Sequence, residues 1–161
     1  MRPIILIAIL ALPDGTRANA SPGFSKFPAP VWSGIPAPAI NLDSHPDAGR
    51  FRTVLRKAYG QGANFDGKFT IASWGCGTSC TVIAVIDQSN GKVFFPKSVP
   101  FVSWAGWWHK DYGLSFRKNS RLLKVSGQIA GHGDFGRYTF EWTGQDFKLI
   151  HKIAAAPGNP E

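Results

Sequence analysis

The chain has 161 residues, of which 43% are hydrophobic and 13% aromatic, and its formal net charge at pH 7 is +8. This length suits one domain, and the apolar fraction excludes a chain that is disordered throughout. The positive charge favours acidic partners, although it also serves solubility.

The sequence over residues 1–20 is typical of a secretory signal peptide. A basic residue precedes the apolar run 3–12, and Ala18 and Ala20 form an A-x-A cleavage site before Ser21. About ten apolar residues are too few to span a bilayer, which takes about twenty. We therefore expect cleavage after Ala20, no membrane span, and a periplasmic or extracellular location. The alternatives are a buried N-terminal strand and a membrane anchor.

Residues 21–47 are rich in proline and alanine and show neither the helical nor the strand period. Proline removes backbone donors and resists helix formation, so we predict an extended arm. We expect Trp32 and Ile35 to pin part of this arm to the domain.

Residues 48–59 predict an amphipathic helix, with Asp47 as its N-terminal cap and Gly60 as its end. Its apolar positions follow the spacing i, i+3, i+4, i+7 and i+8: Phe51, Val54, Leu55, Ala58 and Tyr59. Arg52 and Arg56 lie on the polar side, where they serve either as a solvated face or as a contact for an anionic partner.

After the helix the apolar residues alternate with period two and turn signals recur, which predicts antiparallel strands. The predicted strands are 68–73, 81–86, 92–95, 114–117, 121–126, 137–142 and 147–153. We therefore predict one α+β domain over 48–155, an N-terminal helix followed by a six- or seven-stranded antiparallel meander, with a flexible tail over 156–161.

Both cysteines lie in one short segment between the first two predicted strands. In a straight strand Cys76 and Cys80 would lie roughly 13 Å apart, because each residue advances about 3.3 Å. A disulfide needs Cα atoms within about 7 Å, so a bonded pair requires a turn that holds Thr78 and Ser79 in a small ring. The glycines on either side of Cys76 supply the backbone freedom, and an oxidising compartment favours the bond.

Two other interpretations of the cysteine pair stay open. A redox pair is usually C-x-x-C at a helix start, whereas this spacing is longer and strands flank it. Two thiolates could also hold Cu(I), with His132 as the best available third ligand.

Several short motifs together resemble a family of small exported bacterial proteins whose function is not known. These motifs are Phe51-Arg52-Thr53, Asn64-Phe65-Asp66-Gly67, Trp74-Gly75-Cys76-Gly77-Thr78-Ser79-Cys80, Asn90-Gly91-Lys92 and Ser120-Arg121-Leu122-Leu123. The resemblance covers roughly residues 48–152. It implies export and a single domain, and it implies no particular activity.

Catalytic signatures are missing from the sequence. It has no zinc-type quartet, no G-x-S-x-G, no phosphate-cradling glycine loop and no H-E-x-x-H. Glu141 and Glu161 are the only glutamates, and the alternation around Glu141 fits a solvent-facing strand position. We therefore expect a non-catalytic protein with no metal site and no cofactor.

Aromatic and polar side chains supply the candidates for partner binding. The segment 104–112 places Trp107, Trp108 and His109 in a loop that either stacks on a partner or folds over the sheet. His132 and Asp134 lie in a second, glycine-rich loop, where an Asp-oriented His is the simplest interpretation. The complete candidate set is Trp74, Thr78, Arg52, Arg56, Trp107, Trp108, His109, His132 and Asp134.

Two functional hypotheses follow. The first is an exported, monomeric binding module whose cysteine turn and aromatic loop contact an acidic polymer or protein, rather than nucleic acid. The second is a periplasmic thiol-redox or copper-handling protein that uses Cys76, Cys80 and His132.

Overall fold

The computed structural model describes residues 20–104 and 113–154. In these residues a single α-helix packs on one antiparallel sheet of eight strands. The elements are α1 (Arg52–Gly60), β1 (Phe69–Gly77), β2 (Cys80–Asp87), β3 (Val93–Phe94), β4 (Phe101–Ser103), β5 (Leu114–Phe116), β6 (Leu122–Ile129), β7 (His132–Trp142) and β8 (Phe147–Ala154). Within the described ranges, no helix has the length and apolar character that crossing a membrane requires.

The sheet is antiparallel but is not the simple meander that the sequence predicts. Its order is β1-β2-β4-β6-β7-β8, while β3 pairs with β2 and β5 pairs with β6. The three-residue strand β4 pairs with β2 on one side and β6 on the other. The prediction of an α+β domain with an antiparallel sheet is therefore confirmed, with strands dominating, whereas the predicted count of six or seven strands is wrong.

The helix is shorter than the sequence predicts, because α1 begins at Arg52 rather than at residue 48. Phe51 precedes it without a side-chain capping bond. The predicted cap at Asp47 is also wrong, since the Asp47 amide donates to Nδ1 of His45 at 3.1 Å. Leu55 is fully buried and anchors the helix to the sheet.

Two apolar cores lie on opposite faces of β1 and β2. Directly opposed residues of antiparallel strands share a face, and successive residues alternate between faces. The Ile71–Val85 pair therefore enters the larger core, and the Ala72–Ala84 pair enters the smaller core beneath α1. Small alanine side chains let the helix approach the sheet closely. The larger core receives buried side chains from every strand except β3.

The proline-rich arm is attached to the domain by several hydrogen bonds, and two sets of backbone bonds flank its middle part. In the first, the Arg121 amide donates to the Phe27 carbonyl and the Ala29 amide donates to the Asn119 carbonyl, both at 3.0 Å. In the second, the Ala37 amide donates to the Gln88 carbonyl at 2.8 Å. Backbone hydrogen bonds to the sheet connections therefore hold the arm.

Between these two sets of backbone bonds the arm is largely exposed to solvent. Val31 is 99% exposed and Ile35 is 91% exposed, while Trp32 is half-buried. The expectation that Ile35 pins the arm is therefore wrong. An apolar side chain in a proline-flanked segment has little to pack on when its neighbours cannot form a strand with the domain.

Candidate functional site

The turn between β1 and β2 is closed by a disulfide between Cys76 and Cys80, as the sequence predicts. Their Cα atoms lie 5.1 Å apart. Gly75 pairs with Thr81 and Gly77 pairs with Cys80, so Cys76 is an extra residue that bulges from β1. A bulged residue points its side chain out of the regular alternation, and this brings the Cys76 sulfur to Cys80.

The tip of this turn depends on left-handed backbone conformations. Gly77 has φ +135° and Ser79 has φ +53°. The first of these is open to glycine and strained for other residues. The four residues Gly75, Cys76, Gly77 and Thr78 are all exposed, so the disulfide holds a rigid polar loop in solvent.

Trp74 joins this turn to the start of the helix. Its ring centroid lies 4.8 Å from that of Phe51 and 6.2 Å from that of Phe95. Trp74 is half-buried among these rings and packs against the smaller core. Its role in any binding surface is therefore to position the turn beside α1, more than to contact a partner with its whole ring.

Cations project from the helix next to the turn. Arg52 and Arg56 are both exposed, as predicted for the polar side. The guanidinium of Arg50 lies 5.4 Å from the Phe51 ring centroid, a cation–π distance. The helix contains no acidic residue to neutralise them. We call the exposed turn Gly75–Thr78 together with Arg50, Arg52, Arg56 and Lys57 the turn surface.

A groove of about 340 Å³ runs along the other side of the turn. It is lined by Ser73, Trp74, Gly75, Gly77, Cys80, Thr81 and Trp104. The indole Nε1 of Trp104 donates to Oγ1 of Thr81 at 3.0 Å, and its backbone amide donates to the Ser79 carbonyl at 2.9 Å. The Trp104 indole and several backbone polar groups thus border this depression.

The rest of the predicted aromatic loop lies outside the described residues. This applies to Trp107, Trp108 and His109, whose part in binding stays a prediction. Trp104 is the member of this segment that the structure places, and it lies against the turn.

His132 and Asp134 lie on a regular strand, and the loop predicted for them is wrong. Both belong to the start of β7, which pairs with β6 through a tight turn at Ala130 and Gly131. The Asp134 carboxylate accepts from Nζ of Lys152 at 2.9 Å. Nothing brings this pair to the turn surface.

The geometry gives no support to the copper alternative, and the redox alternative stays a prediction. The cysteines form a disulfide, which is the oxidised state of a redox pair, whereas binding of Cu(I) needs both thiolates. Three strand pairings separate His132 from Thr81, the neighbour of Cys80: Thr81 pairs with Val102, Val102 with Ile129, and Ile129 with His132. At about 4.8 Å per strand this is roughly 14 Å, too far for ligands of one ion. Residues 20–104 and 113–154 contain no cluster of three or more potential metal ligands.

Two buried carboxylates, one before the start of β1 and one at the end of β2, have pKa values shifted in opposite directions. Burial raises the pKa of Asp66 to about 6, despite nearby Arg121 and Lys68. Burial also raises the pKa of Asp87, but hydrogen bonds from Lys68 and Ser89 outweigh it and hold that pKa below its usual value. The Asp87–Lys68 distance is 2.8 Å.

The turn itself was accessible to sequence reasoning, whereas the groove beside it was not. A cysteine pair flanked by glycines signals a closed turn. The hydrogen bond from Trp104 to Thr81 joins positions 23 apart, and no local pattern marks it.

No protein-family model, curated protein or solved structure matches this chain.

Proposed function

We propose that this protein is an exported, non-catalytic binding protein that uses the turn surface to hold an acidic polymer or an acidic protein. The observation that carries the proposal is the Phe51–Trp74 ring contact at 4.8 Å. It places a rigid, disulfide-closed loop next to a helix with exposed cations and no acid.

The physical basis is long-range attraction combined with a preformed contact. Exposed cations on one helix face raise the rate of encounter with a polyanion. The closed turn loses little conformational entropy on binding, because the disulfide has already restricted it. The groove beside Trp104 offers an indole ring next to backbone polar groups, which suits a sugar or a peptide.

Export supports the proposal from a separate direction. The signal-like sequence over residues 1–20 and the disulfide both fit an oxidising compartment outside the cytoplasm. We expect mass spectrometry of the protein recovered from the periplasm or medium to give Ser21 as the N-terminal residue. Recovery of the protein with residues 1–20 attached would contradict this part of the proposal.

A binding screen tests the turn surface. Anionic glycans, peptidoglycan fragments and anionic lipid vesicles are titrated with the protein at about 10 mM and at about 0.5 M salt, since screening shortens the Debye length. On any ligand that binds, Arg52→Gln combined with Arg56→Gln should slow association about tenfold at low salt. The control is Lys97→Gln combined with Lys148→Gln, which removes the same charge elsewhere.

Two results would overturn the proposal. One is the absence of binding to every acidic ligand at low salt. The other is an equal loss in the control variant, which would mean that net charge, and not this surface, sets the affinity.

A further inference from the structure

The arm exposes an apolar loop between its two sets of backbone bonds. We call residues 30–36 the arm loop. Its side chains Val31 and Ile35 are 99% and 91% exposed, more than the other exposed large apolar side chains that the structure describes. Single exposed apolar residues are common on protein surfaces, so exposure alone identifies no partner. The backbone that carries these two side chains is what makes them informative.

The backbone of the arm loop is stiff. A Pro-Ala-Pro triplet leads into the loop at 28–30, and another leads out of it at 36–38. Proline fixes its own φ at about −65° and confines the preceding residue to extended conformations. No helix or turn interrupts residues 29–37. The loop is therefore an ordered, extended segment that loses little conformational entropy when a partner binds it.

Side-chain donors reinforce both ends of the loop. On the N-terminal side, Nη1 of Arg121 donates to the Pro28 carbonyl at 2.9 Å, next to the backbone bond of Ala29. On the C-terminal side, the Tyr59 hydroxyl donates to the Ala37 carbonyl at 2.6 Å. The two ends are therefore each held by side-chain and backbone hydrogen bonds to the domain.

Trp32 fastens the middle of the loop. A Cβ atom built at Gly34 would lie 2.5 Å from Nε1 of Trp32, so the indole covers this glycine. A Cβ atom built at Gly67 in the domain would lie 3.8 Å from the Trp32 Cβ. Trp32 is half-buried, whereas its neighbour Val31 is almost completely exposed. One side chain is thus fixed to the protein, and the adjacent one is free to enter a pocket.

We propose that the arm loop binds in the substrate cleft of a serine endopeptidase and inhibits it, with Val31 in a small, apolar specificity pocket. In these enzymes one pocket selects the side chain that precedes the cleaved bond, and a small pocket of the elastase type accepts a small aliphatic group. Residues 27–42 contain no charged side chain, which excludes the pocket with a carboxylate that trypsin uses.

The bond presented for attack is the one between Val31 and Trp32. The bond after Ile35 leads to Pro36, whose nitrogen carries no hydrogen and whose ring restricts the geometry of the leaving group. The bond after Val31 has no such restriction. Val31 is therefore the residue that enters the pocket.

The fixed ends of the loop favour inhibition over cleavage. The serine oxygen of the peptidase adds to the Val31 carbonyl carbon, its histidine passes the serine proton to the Trp32 nitrogen, and the bond between them breaks. In a flexible substrate the new amine diffuses away, and water hydrolyses the ester. Here the contacts of Trp32 keep the amine beside the ester, so it attacks the ester, re-forms the peptide bond and returns the proton to serine.

Inhibition assays with three serine endopeptidases test the proposal. Elastase, chymotrypsin and trypsin differ in their specificity pocket, and each is assayed with a small chromogenic substrate in the presence of the purified protein. We expect inhibition of elastase at about micromolar concentration or below, and inhibition of the other two at least about tenfold weaker.

Matched variants locate the contact. Val31→Phe should weaken inhibition of elastase at least about tenfold and strengthen inhibition of chymotrypsin by a similar factor, because chymotrypsin has the larger apolar pocket. Ile35→Phe makes the same change at a second, almost fully exposed position of the loop and should change either value less than about threefold. Since both positions are exposed, both variants should fold normally.

A second pair of variants tests the fastening by Trp32. Gly34→Ala should displace the indole, accelerate cleavage of the Val31–Trp32 bond about tenfold and weaken inhibition. Gly49→Ala is the control, because a Cβ atom there would meet nothing within 4 Å. Mass spectrometry of the protein incubated with elastase measures the cleavage.

Three results would overturn the proposal: no inhibition of elastase, an equal effect of Ile35→Phe, or rapid cleavage of the unmodified loop with loss of inhibition. The arm loop shares no residue with the turn surface, and its contact is apolar. Inhibition should therefore persist at about 0.5 M salt, where binding through the turn surface weakens, so either proposal can fail without the other.

Discussion

Asp66 is a carboxylate at a place where water scarcely reaches it. It is 8% exposed, it adopts φ +38°, and its Oδ1 has no hydrogen-bond partner within the described residues. Its backbone amide donates to the Ser120 carbonyl at 3.2 Å, which fixes the residue in this position. Because burial favours the neutral acid, the pKa of Asp66 is raised to about 6.

A pH dependence of stability follows from this raised pKa. Between pH 4 and about pH 6 the folded state binds the Asp66 proton more tightly than the unfolded state does. The free energy of unfolding should therefore increase as the pH falls through this window. Asp66→Asn should remove this contribution and stabilise the protein by about 2 kcal/mol at pH 7, because the buried charge is gone. Urea unfolding of both proteins at pH 4.5 and pH 7 measures it, with the exposed Asp43→Asn as control.

Asp87 should behave in the opposite way. Its carboxylate accepts from Nζ of Lys68 at 2.8 Å and from the Ser89 amide at 2.8 Å, and its pKa is lowered. Its stabilising contribution is present at neutral pH and is lost as the pH falls below about 4. Asp87→Asn should destabilise the protein by about 2 kcal/mol at pH 7, because the buried carboxylate loses its charge-assisted hydrogen bonds from Lys68 and Ser89. If urea unfolding at pH 7 showed no loss, the Lys68 contact would contribute nothing.

Among the elements, the disulfide-closed hairpin makes a modest contribution to stability. In the loop-entropy account, a ring of about five residues restricts the unfolded chain by about 2 kcal/mol. Cys76→Ser combined with Cys80→Ser should therefore leave a folded protein that is less stable by this amount. Thermal unfolding monitored by circular dichroism measures the loss. Complete loss of folding would show that the turn nucleates the β1–β2 pairing.

The elements differ in how far the sequence could predict them. β1 and β2 pair with each other across a local turn, so alternation and glycine placement were sufficient. β4 is three residues long and follows Pro100, and it becomes a strand only because β2 and β6 flank it. That pairing depends on residues far apart in sequence, which no local period records. The helix start was misplaced for a similar reason, since Ala48 is buried in a turn and not in a helix.

At the scale of the whole molecule, the arm and the domain fit closely at Gly67. Its φ is +72°, and a Cβ atom built there would lie 2.3 Å from the Pro30 carbonyl oxygen. Gly62 also has a positive φ, of +81°, but a Cβ atom there would meet nothing within 4 Å. Substitution at either glycine would strain the backbone, but only a substitution at Gly67 would also clash with the arm.

Gly67→Ala should consequently displace the arm, whereas Gly62→Ala should not. Alanine in a left-handed conformation costs about 1 kcal/mol, which both variants share. Gly67→Ala should lose at least about 1 kcal/mol more, because a clash with backbone atoms cannot relax by a rotamer change. Limited trypsin digestion at Lys26, in the arm, should accelerate in Gly67→Ala alone. Equal digestion of the two variants would show that the arm does not depend on this contact.

The surfaces proposed for binding were predicted only in part. The cations of the helix and the closed turn were evident in the sequence. The contact of arm residue Ser21 with Thr139 was not, because the two residues lie 118 positions apart. Polar residues that alternate along a strand predict only a face in contact with water, and they do not show which neighbours complete a site.

The hydrogen bond between Ser21 and Thr139 gives the proposed cleavage after Ala20 a local electrostatic consequence. In the uncleaved chain the Ser21 nitrogen is an uncharged peptide amide. Cleavage after Ala20 would turn it into a free ammonium group, with a pKa of about 8, beside the buried Thr139 hydroxyl. Removal of residues 1–20 would then place a new positive charge where the arm meets β7.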